Sequence, residues 1–304
     1  MRAVRFDEYG DRSVLHLAEV PVPAVADDRV LVQVKAAGTN PGEAAIRRGV
    51  FDQGDPKVPS GQGTDLAGIV VAVGEDVERF AVGDEVLGWS WERSSQAEYV
   101  SVPAGQLVHK PRLLSWEAAG GLDVVATTAA AAVRAVDPRT GETVVVSGAA
   151  GGVGGFVTQL LTTNGIDVIA IASEANHEWL RSVHARPVAY GDGLEQRIRE
   201  LATNGIDALI DTFGPDYVHL GITLGIPADR IETIIAFEAA AEVGAHAAGS
   251  TTTADPEILL AMAELVASGE VEFPIARTYP LEQVQDAYAE LEQGHTHGKI
   301  VLVP

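Results

Sequence analysis

Val144-Val145-Val146-Ser147-Gly148-Ala149-Ala150-Gly151-Gly152-Val153-Gly154 decides the fold of this chain, because a buried β-branched run breaks there into a glycine turn and then opens a helix. The glycines have a physical task. Without Cβ atoms the backbone can approach a pyrophosphate, whose charge is held by free N–H groups and by the positive end of the following helix. A glycine pattern alone carries little weight, but this one has its context. Phe156-Val157-Thr158-Gln159-Leu160-Leu161 continues as an amphipathic helix, and Val168-Ile169-Ala170-Ile171-Ala172 forms the next strand. The unit reads as a dinucleotide-binding βα turn.

Outward from it, strands alternate with helices. A helix near 176–184, a strand at Pro187-Val188-Ala189-Tyr190, a helix near 193–203, a strand Ala208-Leu209-Ile210-Asp211 and a βα pair through Ile231-Glu232-Thr233-Ile234-Ile235 predict a parallel, doubly wound sheet. Before residue 115 the character differs. Alternating segments such as Val30-Leu31-Val32-Gln33-Val34-Lys35-Ala36 and Ala67-Gly68-Ile69-Val70-Val71-Ala72-Val73-Gly74 stand between Gly, Pro and Asp, which predicts a β-rich domain. A helix at 282–292 and the strand Lys299-Ile300-Val301-Leu302-Val303 are expected to rejoin it. The expected domains are thus 1–115 with 255–304, and 116–254. At 304 residues the chain exceeds a usual domain of about 100–200, in keeping with two.

Composition narrows the function classes. No run approaches the roughly 18 apolar residues that span a bilayer, and Met1-Arg2-Ala3-Val4-Arg5-Phe6 alternates like a strand rather than a signal peptide, so a cytoplasmic protein is expected. Cysteine is absent, which removes disulfides, thiolate catalysis and every cysteine-based metal site. A net charge of −22 opposes contact with nucleic acid or anionic membranes, which call for basic patches. The same field repels an anionic cofactor, so local donors rather than long-range steering must capture one.

A series of short motifs follows in order along the chain: Ala37-Gly38-Thr39-Asn40-Pro41-Gly42-Glu43, Gly63-Thr64-Asp65-Leu66-Ala67-Gly68-Ile69-Val70, Val82-Gly83-Asp84-Glu85-Val86-Leu87-Gly88, Ala97-Glu98-Tyr99-Val100, Leu107-Val108-His109-Lys110-Pro111, Thr127-Thr128-Ala129 and Gly298-Lys299-Ile300-Val301-Leu302. With them the chain resembles the medium-chain dehydrogenase/reductase superfamily, and within it the zinc-free quinone oxidoreductase branch. The resemblance implies an α/β chain with a GroES-like β-rich catalytic domain plus a Rossmann doubly wound parallel-sheet domain.

It also implies a chemistry. Zinc-dependent members carry cysteine where this chain has Asn40, histidine where it has Thr64, and a four-cysteine lobe where it has Trp89-Ser90-Trp91-Glu92-Arg93-Ser94-Ser95-Gln96. An amide and a hydroxyl do not replace thiolate and imidazole as zinc ligands. What remains is direct hydride transfer from a reduced nicotinamide to a small-molecule quinone or α,β-unsaturated carbonyl. Asn40 is the candidate polar contact to the developing oxyanion, and Glu43, in place of the branch's aspartate, the candidate that orients the turn. Asn-Pro-Gly is also a turn sequence in its own right. His295 and His297 read as solvated loop residues, and no metal site is expected.

Cofactor contacts follow from the resemblance. Thr128 is expected near the nicotinamide end, Ala150, Gly151, Gly152 and Val153 at the pyrophosphate, Tyr190 beside the adenosine, Phe213 and Phe237 along the nicotinamide pocket, and Lys299 within reach of the cofactor. Where the second Rossmann strand ends, NAD-selective members hold an acidic residue and this chain has Ala172. Ser173, Asn176, His177 and Arg181 follow, so NADPH is expected over NADH, with Glu174 arguing the other way. Ser173 also suits a helix N-cap, and each phenylalanine also suits a core. Asp211 reads as a strand end that caps the next turn. A 2-enoyl-thioester reductase and a non-catalytic, crystallin-like NADPH-binding protein stay open as alternatives. Loops around 46–56, 89–95 and 237–253 are expected to shape the substrate pocket. A homodimer is expected to join near 240–249, with residues 236–250 continuing the sheet toward its edge.

Overall fold

The structure, a computed structural model, describes residues 1–50, 58–248, 254–294 and 296–304. The chain divides into two compact units, Met1–Val124 with Asp255–Pro304, and Val125–Ala254. The first begins with β1 (Arg2–Phe6), β2 (His16–Glu19), β3 (Arg29–Gly38), α1 (Pro41–Arg47), β4 (Ser60–Gly61), β5 (Asp65–Val73), β6 (Glu85–Trp89), β7 (Tyr99–Pro103), β8 (Leu107–His109) and α2 (Trp116–Gly120), after which α3 (Asp123–Val136) leads into the second. There follow β9 (Thr143–Val146), α4 (Gly152–Thr163), β10 (Asp167–Ala172), α5 (His177–Ser182), β11 (Arg186–Ala189), α6 (Leu194–Leu201), β12 (Ala208–Asp211), α7 (Pro215–Leu224), β13 (Ile231–Thr233) and α8 (Phe237–Val243). The chain returns through α9 (Pro256–Ser268), β14 (Ile275–Pro280), α10 (Val284–Leu291) and β15 (Lys299–Val303).

Among the described residues the first unit holds a small sheet ordered β2-β1-β4 and a larger one ordered β14-β15-β3-β5-β6-β8, with β7 also on β3. Alternation along its strands turns Val30, Val32, Val34, Leu66, Val70, Val86, Val100 and Leu107 into one core. The returning β15 lies antiparallel on β3, Val301 opposite Gly38. Helix α2 belongs here too, although the composition changes at residue 115. Gly120 approaches β3 so closely that a Cβ would lie 2.5 Å from the Ala36 carbonyl oxygen, a fit open only to glycine. The composition shift therefore marks where the helix-rich stretch begins, and the packing unit ends nine residues further on, at Val124.

In the second unit the described strands run β11-β10-β9-β12-β13, every pair parallel. The valines of β9 and the residues of β12 are buried throughout, as strands covered on both faces require. Strand order reverses beside β9, so the ends of β9, β10 and β12 form the switch point where ligands of such sheets bind.

At the sheet edge the structure corrects the expectation for residues 236–250. The run Phe237-Glu238-Ala239-Ala240-Ala241-Glu242-Val243 forms α8 instead of continuing the sheet, because its alanines and glutamates are strong helix formers. Only beyond α8 does the chain pair with β13, through a parallel bridge between Glu232 and His246. Residues 249 and 250 lie outside the described residues, as do 51–56 and 249–253 of the expected substrate loops and His295.

Glu232 is fully buried in this edge strand. One carboxylate oxygen accepts the Ala248 N–H at 2.7 Å, and burial pushes its pKa up to about 7. A carboxyl whose folded pKa lies above its unfolded value stabilises the fold at low pH and loses that contribution as pH rises through about 7. Stability from urea unfolding is expected to carry a falling component between pH 5 and 8, and Glu232→Gln is expected to flatten it; an unchanged profile in the variant would contradict the assignment.

Candidate functional site

The glycine turn joins β9 to α4. Gly151 N–H closes it onto the Gly148 carbonyl at 2.9 Å. A Cβ on Gly154 would lie 2.2 Å from that same carbonyl oxygen, so glycine there lets α4 pack directly on the turn. Helix α4 has Gly151 at its N-cap and no side-chain cap, which leaves N–H groups of its first turn open toward an anion. Gly151, Gly152 and Val153 are half-buried, and Ala150 is buried behind them.

Asp211 organises the strand ends around this turn. Its carboxylate accepts the Ser147 hydroxyl at 2.5 Å, the Thr233 hydroxyl at 2.7 Å, and the N–H groups of Phe213 at 2.9 Å and Gly214 at 3.1 Å. It caps the turn after β12 and also ties together β9, β12 and β13. Tyr190 after β11, Phe213 after β12 and Phe237 at the start of α8 are 52%, 63% and 40% exposed, so neither phenylalanine is a core residue. Phe213 stands edge-on to Tyr217 with ring centroids 5.8 Å apart. On α3, Thr128 is buried and its hydroxyl has no hydrogen-bond partner among the described residues.

Beyond β10, the Ser173 hydroxyl accepts the Asn176 side-chain N–H at 3.1 Å and makes no cap bond to the backbone. His177 Nε2 is buried without a partner among the described residues, and Arg181 is exposed in the last turn of α5. Ser173, His177 and Arg181 thus bring donors to the stretch that follows Ala172, and Glu174 is exposed in the intervening turn.

In the first unit a buried polar network surrounds Asn40, Glu43 and Lys299. The Glu43 carboxylate accepts four hydrogen bonds: from Asn40 N–H at 3.0 Å, the Asn40 side-chain amide at 3.2 Å, Thr64 N–H at 2.7 Å and the Tyr288 hydroxyl at 2.6 Å. The Tyr288 oxygen in turn accepts the amides of Gln62 at 2.8 Å and Gln96 at 2.9 Å. Lys299 Nζ donates to Asn40 Oδ1 at 2.6 Å and pairs with Asp65 at 2.9 Å. Asp65 also accepts the second Asn40 amide hydrogen at 3.0 Å and Val124 N–H at 2.9 Å. Both Asn40 amide hydrogens are therefore directed to carboxylates inside the protein, while its oxygen accepts from Lys299. Burial pushes the Glu43 carboxyl up while the Tyr288 hydrogen bond opposes it. Burial, and then the negative charge of Asp65, hold the buried Asp123 well above the usual carboxylate range, with Lys299 opposing. Sequence reasoning did not single out Asp65, Asp123, Gln62, Gln96 or Tyr288 as site residues. Asp65 lies inside a quoted motif, but no local pattern pairs it with Lys299.

With this geometry in place, comparison with known proteins is informative. Residues 26–112 match the family described as alcohol dehydrogenase GroES-like domain, and 192–302 that described as zinc-binding dehydrogenase. The chain is 30% identical to the chloroplastic NADPH-dependent alkenal/one oxidoreductase of Arabidopsis thaliana, covering 100% of this chain and 80% of the relative. It belongs to the medium-chain dehydrogenase/reductase superfamily, in its quinone oxidoreductase branch. Human mitochondrial NAD(P)H oxidoreductase RTN4IP1 is 29% identical, over 99% of this chain and 89% of the relative. The solved structure of the quinone oxidoreductase from Coxiella burnetii superposes with a TM-score of 0.90 at 29% identity, over 100% of this chain and 99% of that one.

The zinc in one family description was tested against the residues present. The donor set around Asn40 and Thr64 contains an amide, a hydroxyl, an ammonium bonded to both Asn40 and Asp65, and the carboxylates of Glu43 and Asp65 already holding N–H donors, and the sequence offers no thiolate. These residues do not fit a zinc ion. Lys299→Met is expected to cost about 3–5 kcal/mol in urea unfolding, since it leaves Asp65 buried without its counter-charge. Adding Asp65→Asn is expected to recover most of the loss; additive losses would show that the two residues act independently.

Proposed function

We propose that this protein is a zinc-independent, NADPH-dependent reductase that transfers hydride to a quinone or an α,β-unsaturated carbonyl. The observation that carries the reading is the uncapped amino end of α4 behind the Gly148–Gly151 turn, set among exposed aromatic side chains at the switch point of the sheet. Gly151, Gly152 and Val153 would supply N–H groups to the pyrophosphate, and Thr128 its unpartnered hydroxyl to the nicotinamide end. Ser173, His177 and Arg181 would hold a 2′-phosphate, with Asn176 steadying Ser173. The names of the Arabidopsis relative, an NADPH-dependent alkenal/one oxidoreductase, and of the Coxiella quinone oxidoreductase support this substrate range.

When bound, NADPH supplies the hydride, and one proton from water or a protein donor completes each reduction. The chain's own residues bind, orient and exclude water. Asn40, Glu43 and Asp65 position the Lys299 ammonium, which carries a third N–H beyond those given to Asn40 and Asp65. That N–H, rather than the Asn40 amide, is the donor this reading assigns to the oxyanion of the reduced carbonyl.

Calorimetry is expected to give tighter binding of NADPH than NADH, with His177→Ala narrowing the difference. Nicotinamide absorbance assays with quinones and alkenals are expected to show turnover that survives a chelator. Equal affinities would return the site to NAD, binding without turnover would favour the non-catalytic reading, and stoichiometric zinc with chelator-sensitive activity would overturn the metal-free one.

The same proposal includes a cytoplasmic homodimer. Among the described residues no helix is long and apolar enough to cross a membrane. Residues 245–248 run along the outer edge of β13, and an open strand edge invites a second copy. Val243 and Ala245 pack against the unit's own core, whereas Ala247 is exposed. Light scattering at micromolar concentration is expected to report a dimer that Ala247→Glu weakens. A monomeric wild-type protein would reject the assembly, and fractionation of the source cells tests the compartment.

A further inference from the structure

Arg197, in the first half of α6, does not pair with an acid among the described residues; it gathers backbone carbonyls. Its Nη2 donates to the carbonyl of Ala189 at 2.8 Å, of Gly191 at 3.2 Å and of Tyr190 at 3.4 Å, and its Nη1 to that of Asp192 at 2.6 Å. These carbonyls belong to the loop that leaves the sheet at Ala189, the last residue of β11 paired with β10. The loop contains Gly191 at φ +97° and Gly193 at φ +75°, so it has little stiffness of its own. It carries Tyr190, which is 52% exposed.

From this geometry we infer that Arg197 is a positioning residue for nucleotide binding: by collecting the carbonyls of residues 189–192 it holds Tyr190 as a fixed aromatic face for adenine. The inference rests on the nucleotide reading above and adds to it a residue that touches neither phosphate nor nicotinamide. Only arginine suits the task. Its planar guanidinium presents several N–H donors at fixed angles, whereas a lysine ammonium is a point charge on a flexible stem. An aromatic ring whose backbone is already ordered loses less freedom when a base stacks on it.

The test is calorimetric titration of the full chain with 2′,5′-ADP and with 5′-AMP. Arg197→Met is expected to weaken both ligands alike, by about tenfold, since stacking on the base rather than contact with the 2′-phosphate is lost. In a Tyr190→Ala background the same substitution is expected to change nothing further. Arg197→Lys is expected to lose an intermediate amount, and carries the same comparison should Arg197→Met fail to fold. Unchanged affinity in folded variants overturns the inference, as do losses additive with Tyr190→Ala, and as does a loss confined to 2′,5′-ADP, which would make Arg197 a direct phosphate ligand. Wild-type protein that binds neither nucleotide overturns the nucleotide reading as well, whereas wild-type binding with unaffected variants overturns only the role of Arg197.

Discussion

The Lys299 ammonium, 2.9 Å from Asp65 and bonded to Asn40, is the contact on which the first unit closes. Lysine and aspartate come from opposite ends of the chain, since the second unit is inserted between them. A buried ion pair is a poor source of net stability, because desolvating both charges offsets most of their attraction. It is, however, an effective constraint. Asn40 accepts from Lys299 while donating to both Asp65 and Glu43, and this fixes the amide's orientation. Glu43, ringed by four donors, fixes the start of α1 and the hydroxyl of Tyr288 on α10. Register between β15 and β3, the first turn of α1 and the placement of α10 are therefore settled together.

The second unit solves a different electrostatic problem. The protein carries a net charge of −22, yet the proposed site at its glycine turn would have to hold anionic phosphates. Asp211 stands near that turn with its charge absorbed by two hydroxyls and two backbone N–H groups. In the proposed site the attraction for an anion would come from the uncapped end of α4, whose local dipoles act at short range. Aromatic faces at the strand ends add binding surface that carries no charge.

Much of this was legible locally. The valine run, the glycine turn and the amphipathic helix after it declare a βα unit because each is a pattern of neighbours, and β9, α4 and β10 lie where those patterns put them. The motif order declared the family. Boundaries and edges were less legible. Residues 236–250 are apolar enough for a strand, but alanine favours a helix, and the single strand-like bridge falls after it. Helix α2 reads as the opening of an α/β region and yet packs on β3, since that choice depends on how closely Gly120 approaches Ala36.

The sequence by itself determined the alternation of strands and helices, the glycine turn that opens α4, the lack of any thiolate and the identity of the polar residues gathered near the chain's two ends. Only the tertiary structure decided what those polar residues do. The Asn40 amide hydrogens go to Glu43 and Asp65 while its oxygen accepts from Lys299, and Arg197, on which no sequence pattern bears, meets four backbone carbonyls. Hydrogen-bonding capacity is written in a residue's type. Whether that capacity is spent depends on partners that folding brings from elsewhere in the chain, and no local pattern encodes them.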